Sequence, residues 1–290
     1  MKLPRLAVLI AGVAGLVGQL GCSSNHDDTA PDGEPASVGT ACDQRPSPQR
    51  TEGTLLALRI QPTFEGNPFV FGQPNPLAAG GSLIPLNFRF YISEVELLRG
   101  DGTTAAVDLV TEDGTPEAYG VHLFNAEEDD SSTVRVLAPV GEYSGMTFAL
   151  GIKLACNKQD PANMGDPLSV ASQMTWPQTG GFLYLRYEGR LQGGSAGPGA
   201  SAQSLRAVHM GGDLVNELVP RVTAHGSLAV PESGALEQEL TVGMDEIFKG
   251  AASDIDVSDA SVGFRSTPES VAGERLRRGL PELHVFELMP

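Results

Sequence analysis

From about residue 54 onward, apolar residues fall on alternate positions through most of the chain, the period of a strand with one buried face. Leu56, Leu58 and Ile60 alternate in this way, and so do Met146, Phe148, Leu150 and Ile152. Phe88, Phe90 and Ile92 keep one parity while Val95 and Leu97 take the other, so a bulge at Ser93-Glu94 is needed to hold both sets on one face. Gly100-Asp101-Gly102 signals a turn, and Val107 and Leu109 behind it predict a hairpin. Further strands are expected at Val134 to Leu137, Leu205 to His209, Val222 to Val230 and Leu236 to Val242. In the last of these, Glu237, Glu239 and Thr241 share the parity opposite to Leu236, Leu240 and Val242, which predicts a half-solvated sheet there. Phe182 to Tyr187 is apolar or aromatic at nearly every position, as in a strand covered on both faces. Asp245 to Lys249 predicts one helical turn, and His284 to Leu288 a last strand. Many short strands, turn punctuation and no long amphipathic helix give an all-β fold, an antiparallel β-sandwich or barrel-like domain with long loops.

The chain is densest in large rings around Met174-Thr175-Trp176 and Gly181-Phe182-Leu183-Tyr184, which include its one tryptophan. Asn157 to Pro167, with its Asn, Asp, Gly and Pro, reads as a long ordered loop joining the strand before it to the strand after it. Gln192 to Ser204, mostly Gly, Ser and Ala, reads as a second loop. Residues 254–280, acidic first and then basic over Gly273 to Arg278, read as an irregular surface segment ahead of the final strand.

Residues 1–21 change the picture. Lys2 and Arg5 precede an uncharged apolar run from Leu6 to Leu20, which ends at Gly21-Cys22-Ser23-Ser24. That is a secretory leader with a lipoprotein-type cleavage site, Cys22 being the lipidated residue. The run is short for a membrane span and is broken by Gly12, Gly15 and Gly18. Ser23 after the cysteine favours the outer membrane of a Gram-negative producer, with the protein facing the periplasm or the cell surface. Residues 22–53 carry scarcely any large apolar side chain and read as a disordered tether, leaving 54–290 as a single β-rich domain. The formal net charge is −17, two units lower once a leader carrying Lys2 and Arg5 is gone. So acidic a surface argues against nucleic acid and against any membrane contact other than the lipid.

With Cys22 lipidated, Cys42 and Cys156 remain as an even pair in an oxidising compartment. Their disulfide would fasten the end of the tether to the central loop; left reduced, they would be free thiols or soft metal ligands. No His-Glu-x-x-His pair, no phosphate-cradling glycine loop before a helix and no Cys-x-x-Cys occurs, so no enzyme chemistry is indicated. Glu127-Glu128-Asp129-Asp130 lacks the spacing of a calcium loop and reads as a solvated turn.

Several short phrases occur in a fixed order: Phe88 to Ser93, Pro139 to Tyr143, Phe148 to Gly151, Asp166-Pro167-Leu168, Met174 to Trp176, Gly181-Phe182, Tyr187 to Gly189 and His209 to Gly212. Together, over about residues 54 to 249, they resemble the MbnP family, copper-binding partners of methanobactin-associated diheme proteins. The resemblance implies bound copper and a diheme cytochrome c peroxidase-like partner of the MbnH type. It also implies a tryptophan that the partner oxidises to kynurenine beside the metal, here Trp176. Gln178 stands where members commonly have a second tryptophan, and Lys158 where some have histidine. Copper is held by imidazole and soft sulfur, which makes His209, His122 and His225 the candidate ligands. His209 comes first because it ends a strand beside Met210 and the bulk-free Gly211-Gly212. His284 reads as a buried imidazole, His26 lies in the tether, and Met146 reads as core. Two functions are then open: an exported, lipid-anchored copper-binding protein working beside the diheme partner, or a surface β-sandwich lipoprotein with a binding or structural role and no metal.

Overall fold

The computed structural model describes residues 42–48, 52–76, 81–176, 181–192, 203–211, 219–249 and 285–289. The leader, Cys22, most of the tether, the Gly/Ser/Ala loop after Gln192, residues 254–280, Gln178, Gly212, His26 and His284 lie outside the described residues. Within them the chain forms strands β1 (Thr54–Phe64), β2 (Asn67–Pro68), β3 (Asn75–Pro76), β4 (Ser82–Leu98), β5 (Thr104–Ala106), β6 (Asp108–Leu109) and β7 (Val121–Asn125). There follow β8 (Thr133–Ala138), β9 (Gly141–Leu150), β10 (Leu183–Gln192), β11 (Gln203–Gly211), β12 (Arg221–Val230), β13 (Ala235–Gly243) and β14 (Phe286–Met289). Two short helices complete the set, α1 (Leu154–Asn157) and α2 (Met244–Lys249).

The pairing path runs β11-β10-β4-β9-β12-β14-β13-β1-β8-β6, with β2, β3, β5 and β7 paired off it. Phe286 on β14 meets Phe90 on β4 at 5.7 Å between ring centroids. Three strand spacings in a flat sheet would separate them by about 14 Å, so the sheet folds over on itself into a sandwich-like body. It does not close: among the described residues β11 and β6 stand at the two ends. Phe90 lies at the middle of the core, 4.8 Å from Phe124 and 5.3 Å from Phe88 by ring centroids.

β4 organises this body. Its register against β9 shifts between Ser93 and Glu96, and Glu94 has a φ of 50°, which is the bulge that the parity change demands. Arg89 pairs with Arg186 on one side and Asn125 on the other, and Ser93 with Ala149 and Val121. Since β7 holds one edge, β10 and β9 share the opposite edge of β4, one after the other. From Asn87 to Ser93 every residue of β4 is buried. Phe88, Phe90 and Ile92 face the core, and the alternate set Arg89, Tyr91 and Ser93 is roofed by the segment after β9. Tyr91 Oη donates to Pro167 O at 2.9 Å, Arg89 Nη1 to Ser172 O at 2.8 Å and Ser93 Oγ to Gly151 O at 2.9 Å.

Two features differ from the sequence reading. The strand after the Gly100 turn pairs with β4 only over Thr104–Ala106; Asp108 and Leu109 leave it and pair with Leu137 and Val136 of β8. Two of the pairings, β1 with β13 and β12 with β14, are parallel rather than antiparallel. Neither pair is joined by a short turn, so no local signal could mark them.

Candidate functional site

A row of cross-strand neighbours, Asn125, Arg89, Arg186 and His209, crosses β7, β4, β10 and β11 on the face turned away from the core phenylalanines. Two arginines side by side in such a row repel. Each is neutralised by its own carboxylate: Arg89 Nη2 lies 2.8 Å from Glu127 Oε2, and Arg186 Nη2 lies 3.1 Å from Glu188 Oε1. Each also reaches up to the roofing segment, Arg89 to Ser172 O and Arg186 Nη1 to Gln173 O at 2.9 Å. Two consecutive carbonyls of the stretch leading to Trp176 are therefore clamped by cations.

Besides Arg186 Nη2 and Nε, Glu188 Oε1 takes a third donor, His209 Nε2, at 2.9 Å. His209 is buried, and its imidazole stands edge-on to the half-buried indole of Trp176, 6.0 Å between centroids at 68°. Gly211 makes room for that indole: a Cβ on it would run into Trp176 Nε1 and stand 2.9 Å from Phe182 O. The far end of the Trp176 turn is held by a bridge between Thr175 and Phe182, and by Asn157 Oδ1, which accepts from Phe182 N at 2.9 Å. Asn157 follows Cys156, which is disulfide-bonded to Cys42 with a Cα–Cα distance of 4.8 Å. Two arginines thus hold the segment leading to Trp176, and the buried amide of Asn157, beside the disulfide, holds Phe182 across from it.

The hydrogen bond from His209, with the charge of Arg186 in support, outweighs burial and brings the Glu188 carboxyl down to about 2 from an ordinary 4.5. A depressed carboxylate gives stability that is fully present above its unfolded value and is lost as pH falls through the folded one. Acid titration of the wild type is therefore expected to lose stability between about pH 4.5 and 2 at this site. Glu188→Gln should flatten that part of a denaturation-midpoint profile. An unchanged slope would remove Glu188 from the acid response.

His122 and His225 do not join His209. His122 is buried on β7, with Nδ1 3.1 Å from Glu117 Oε1 and Nε2 2.9 Å from Ser131 O, so oxygen acceptors cover both ring nitrogens. His225 is exposed on β12, which pairs with β9 and β14, whereas β11 pairs with β10. The thioethers of Met146, Met174 and Met210 are in the core, Met210 on the face of β11 opposite His209. Glu127 is an ion-pair partner of a buried arginine rather than a purely solvated turn residue. Among the described residues no three of His, Cys, Asp and Glu stand together as a metal-holding group. His209 supplies one imidazole whose Nε2 is already engaged, both described cysteines are oxidised, and so these residues do not fit the copper site that the resemblance implies.

Arg186, Glu188, Arg89 and Glu127 escaped the sequence reading. For Arg186 the usable signal was a charge inside a stretch that reads as covered on both faces, because a buried charge must be paired; no such signal marked Arg89 or Glu127.

No curated protein matches the chain. Among solved structures it is similar to MbnP from Methylosinus trichosporium, with a TM-score of 0.55 and 17% identity over 81% of this chain and 98% of that one, a likeness of fold. The family model MbnP matches residues 53–266, which take in the whole of the Trp176–His209 site and most of the sheet around it. The chain belongs to the MbnP family.

Proposed function

We propose that the chain is an exported, lipid-anchored protein with a copper-associated role, acting with a diheme peroxidase-like partner that oxidises Trp176. MbnP-family membership supports the copper-associated role, and the leader with Cys22 supports export and anchoring at the outer membrane. The observation that carries the reading is the placement of Trp176: a half-buried indole, edge-on to His209, on a segment whose Ser172 and Gln173 carbonyls accept from Arg89 and Arg186. An aromatic so placed offers a partner one ring edge in one orientation. The role is one of binding and of being acted upon, not of catalysis.

The test treats the purified protein with a diheme peroxidase-like partner and peroxide, followed by mass spectrometry of its peptides. A mass shift confined to the Trp176 peptide is expected, and it should fail in Gly211→Ala, where the added methyl displaces the indole. An unmodified Trp176 peptide in the wild type sinks the partner reading. The second reading, a surface lipoprotein that holds no metal, is favoured by one observation, the engagement of His209 Nε2 by Glu188.

A further inference from the structure

We propose that Arg186 is the resident cation of the Trp176–His209 site: its guanidinium holds Glu188 against His209 and the Gln173 carbonyl in place, so a metal ion and Arg186 are alternatives there. The proposal does not depend on a diheme partner.

The geometry carries this. His209 Nε2 and Glu188 Oε1 are 2.9 Å apart. Two adjacent ligands at right angles on an ion with bonds of 2.0–2.1 Å would stand about 2.9 Å apart, the arrangement a tetragonal cupric ion takes from nitrogen and oxygen. The pair is therefore spaced like half of a metal's coordination, yet the positive charge beside it is a side chain. Arg186 approaches the same oxygen through both Nε and Nη2, each at 3.1 Å, while Nη1 donates to Gln173 O at 2.9 Å. A guanidinium does not lose its proton in a protein, so Arg186 cannot vacate its charge to admit a metal. Its planar fork spans the carboxylate and the carbonyl at once, which a spherical ion bound to Glu188 and His209 would not do. Gln173 has a φ of 57°, a backbone that its residue type adopts reluctantly, and its carbonyl is held by that third donor. The two consequences are separable. Arg186 excludes a divalent cation from Glu188 and His209, and it keeps the stretch before Trp176 in position.

Trp176 is the chain's one tryptophan, so its emission reads this site alone. One equivalent of cupric ion is expected to leave wild-type emission unchanged. Arg186→Gln should bind the ion about ten- to a hundredfold more tightly, the range by which outer partners tune metal sites, with quenching of Trp176. Adding His209→Ala to that variant should abolish the gain, and Arg186→Lys, which keeps the charge, should return binding towards wild type. Acrylamide should quench Trp176 more in Arg186→Gln than in wild type, because the clamp on Gln173 is gone. If Arg186→Gln does not fold, Arg186→Met keeps the apolar stem and takes its place in both measurements. Equal copper affinity in wild type and variant, or equal acrylamide quenching, overturns the proposal.

Discussion

Replacing Cys42 and Cys156 together by serine is expected to lower stability by about 4–5 kcal/mol. The bond closes a loop with a sequence separation of 114. Cross-linking a loop of about a hundred residues removes roughly 4.7 kcal/mol of chain entropy from the unfolded state. In a domain of this size that is a fall in Tm on the order of 10 °C. The same variant should red-shift Trp176 emission, because Cys156 adjoins the Asn157 amide that holds Phe182 N beside the indole turn. Urea denaturation with and without a thiol reductant makes the measurement. Coincident midpoints would show that the link contributes nothing.

Phe90→Ala should cost about 3–5 kcal/mol, the range for deleting a buried aromatic side chain. Phe90 is fully buried and touches rings from three other places in the fold: Phe88 on its own strand, Phe124 on β7 and Phe286 on β14. The void would lie where the folded-over sheet meets itself, with walls on several strands that cannot collapse together. Leu86→Ala, four residues earlier on β4 and 36% exposed, is the control and should cost far less. If the two variants unfold at similar denaturant concentrations, Phe90 is not the centre of the core.

Strand existence was legible because side-chain parity is a local property. The bulge at Glu94 is the clearest case, since a change of parity within one apolar run has no other economical explanation. Strand partners were not legible. Leu58 pairs with Gln238 in parallel and with Val134 in antiparallel fashion, and nothing near residue 58 distinguishes these from any other alternating segments. At the site, the meeting of His209 with Trp176 could be anticipated from the glycine that follows His209 and from the density of rings around residue 176. The rest of the expected ligand set, His122 and His225, was read from residue type, which says nothing about what a side chain already holds. His122 is satisfied by Glu117, five residues before it, once the left-handed backbone of Tyr119 turns that segment back. Arg186 and Glu188 were lost inside a strand whose apolar neighbours dominated the pattern.

β14 lies between β12 and β13, parallel to the first and antiparallel to the second, although β12 and β13 are consecutive in the chain. A polypeptide delivered from its N-terminus presents both flanking strands well before residues 286–289 arrive to separate them. Until then β12 and β13 each expose a raw edge, and the nearest complement for either is the other, in the wrong register. Correct assembly requires that they wait, or that they part again. This part of the sheet is thus completed only when residues 286–289 arrive, and a nick that removed them would leave two open edges in the interior of an otherwise finished protein.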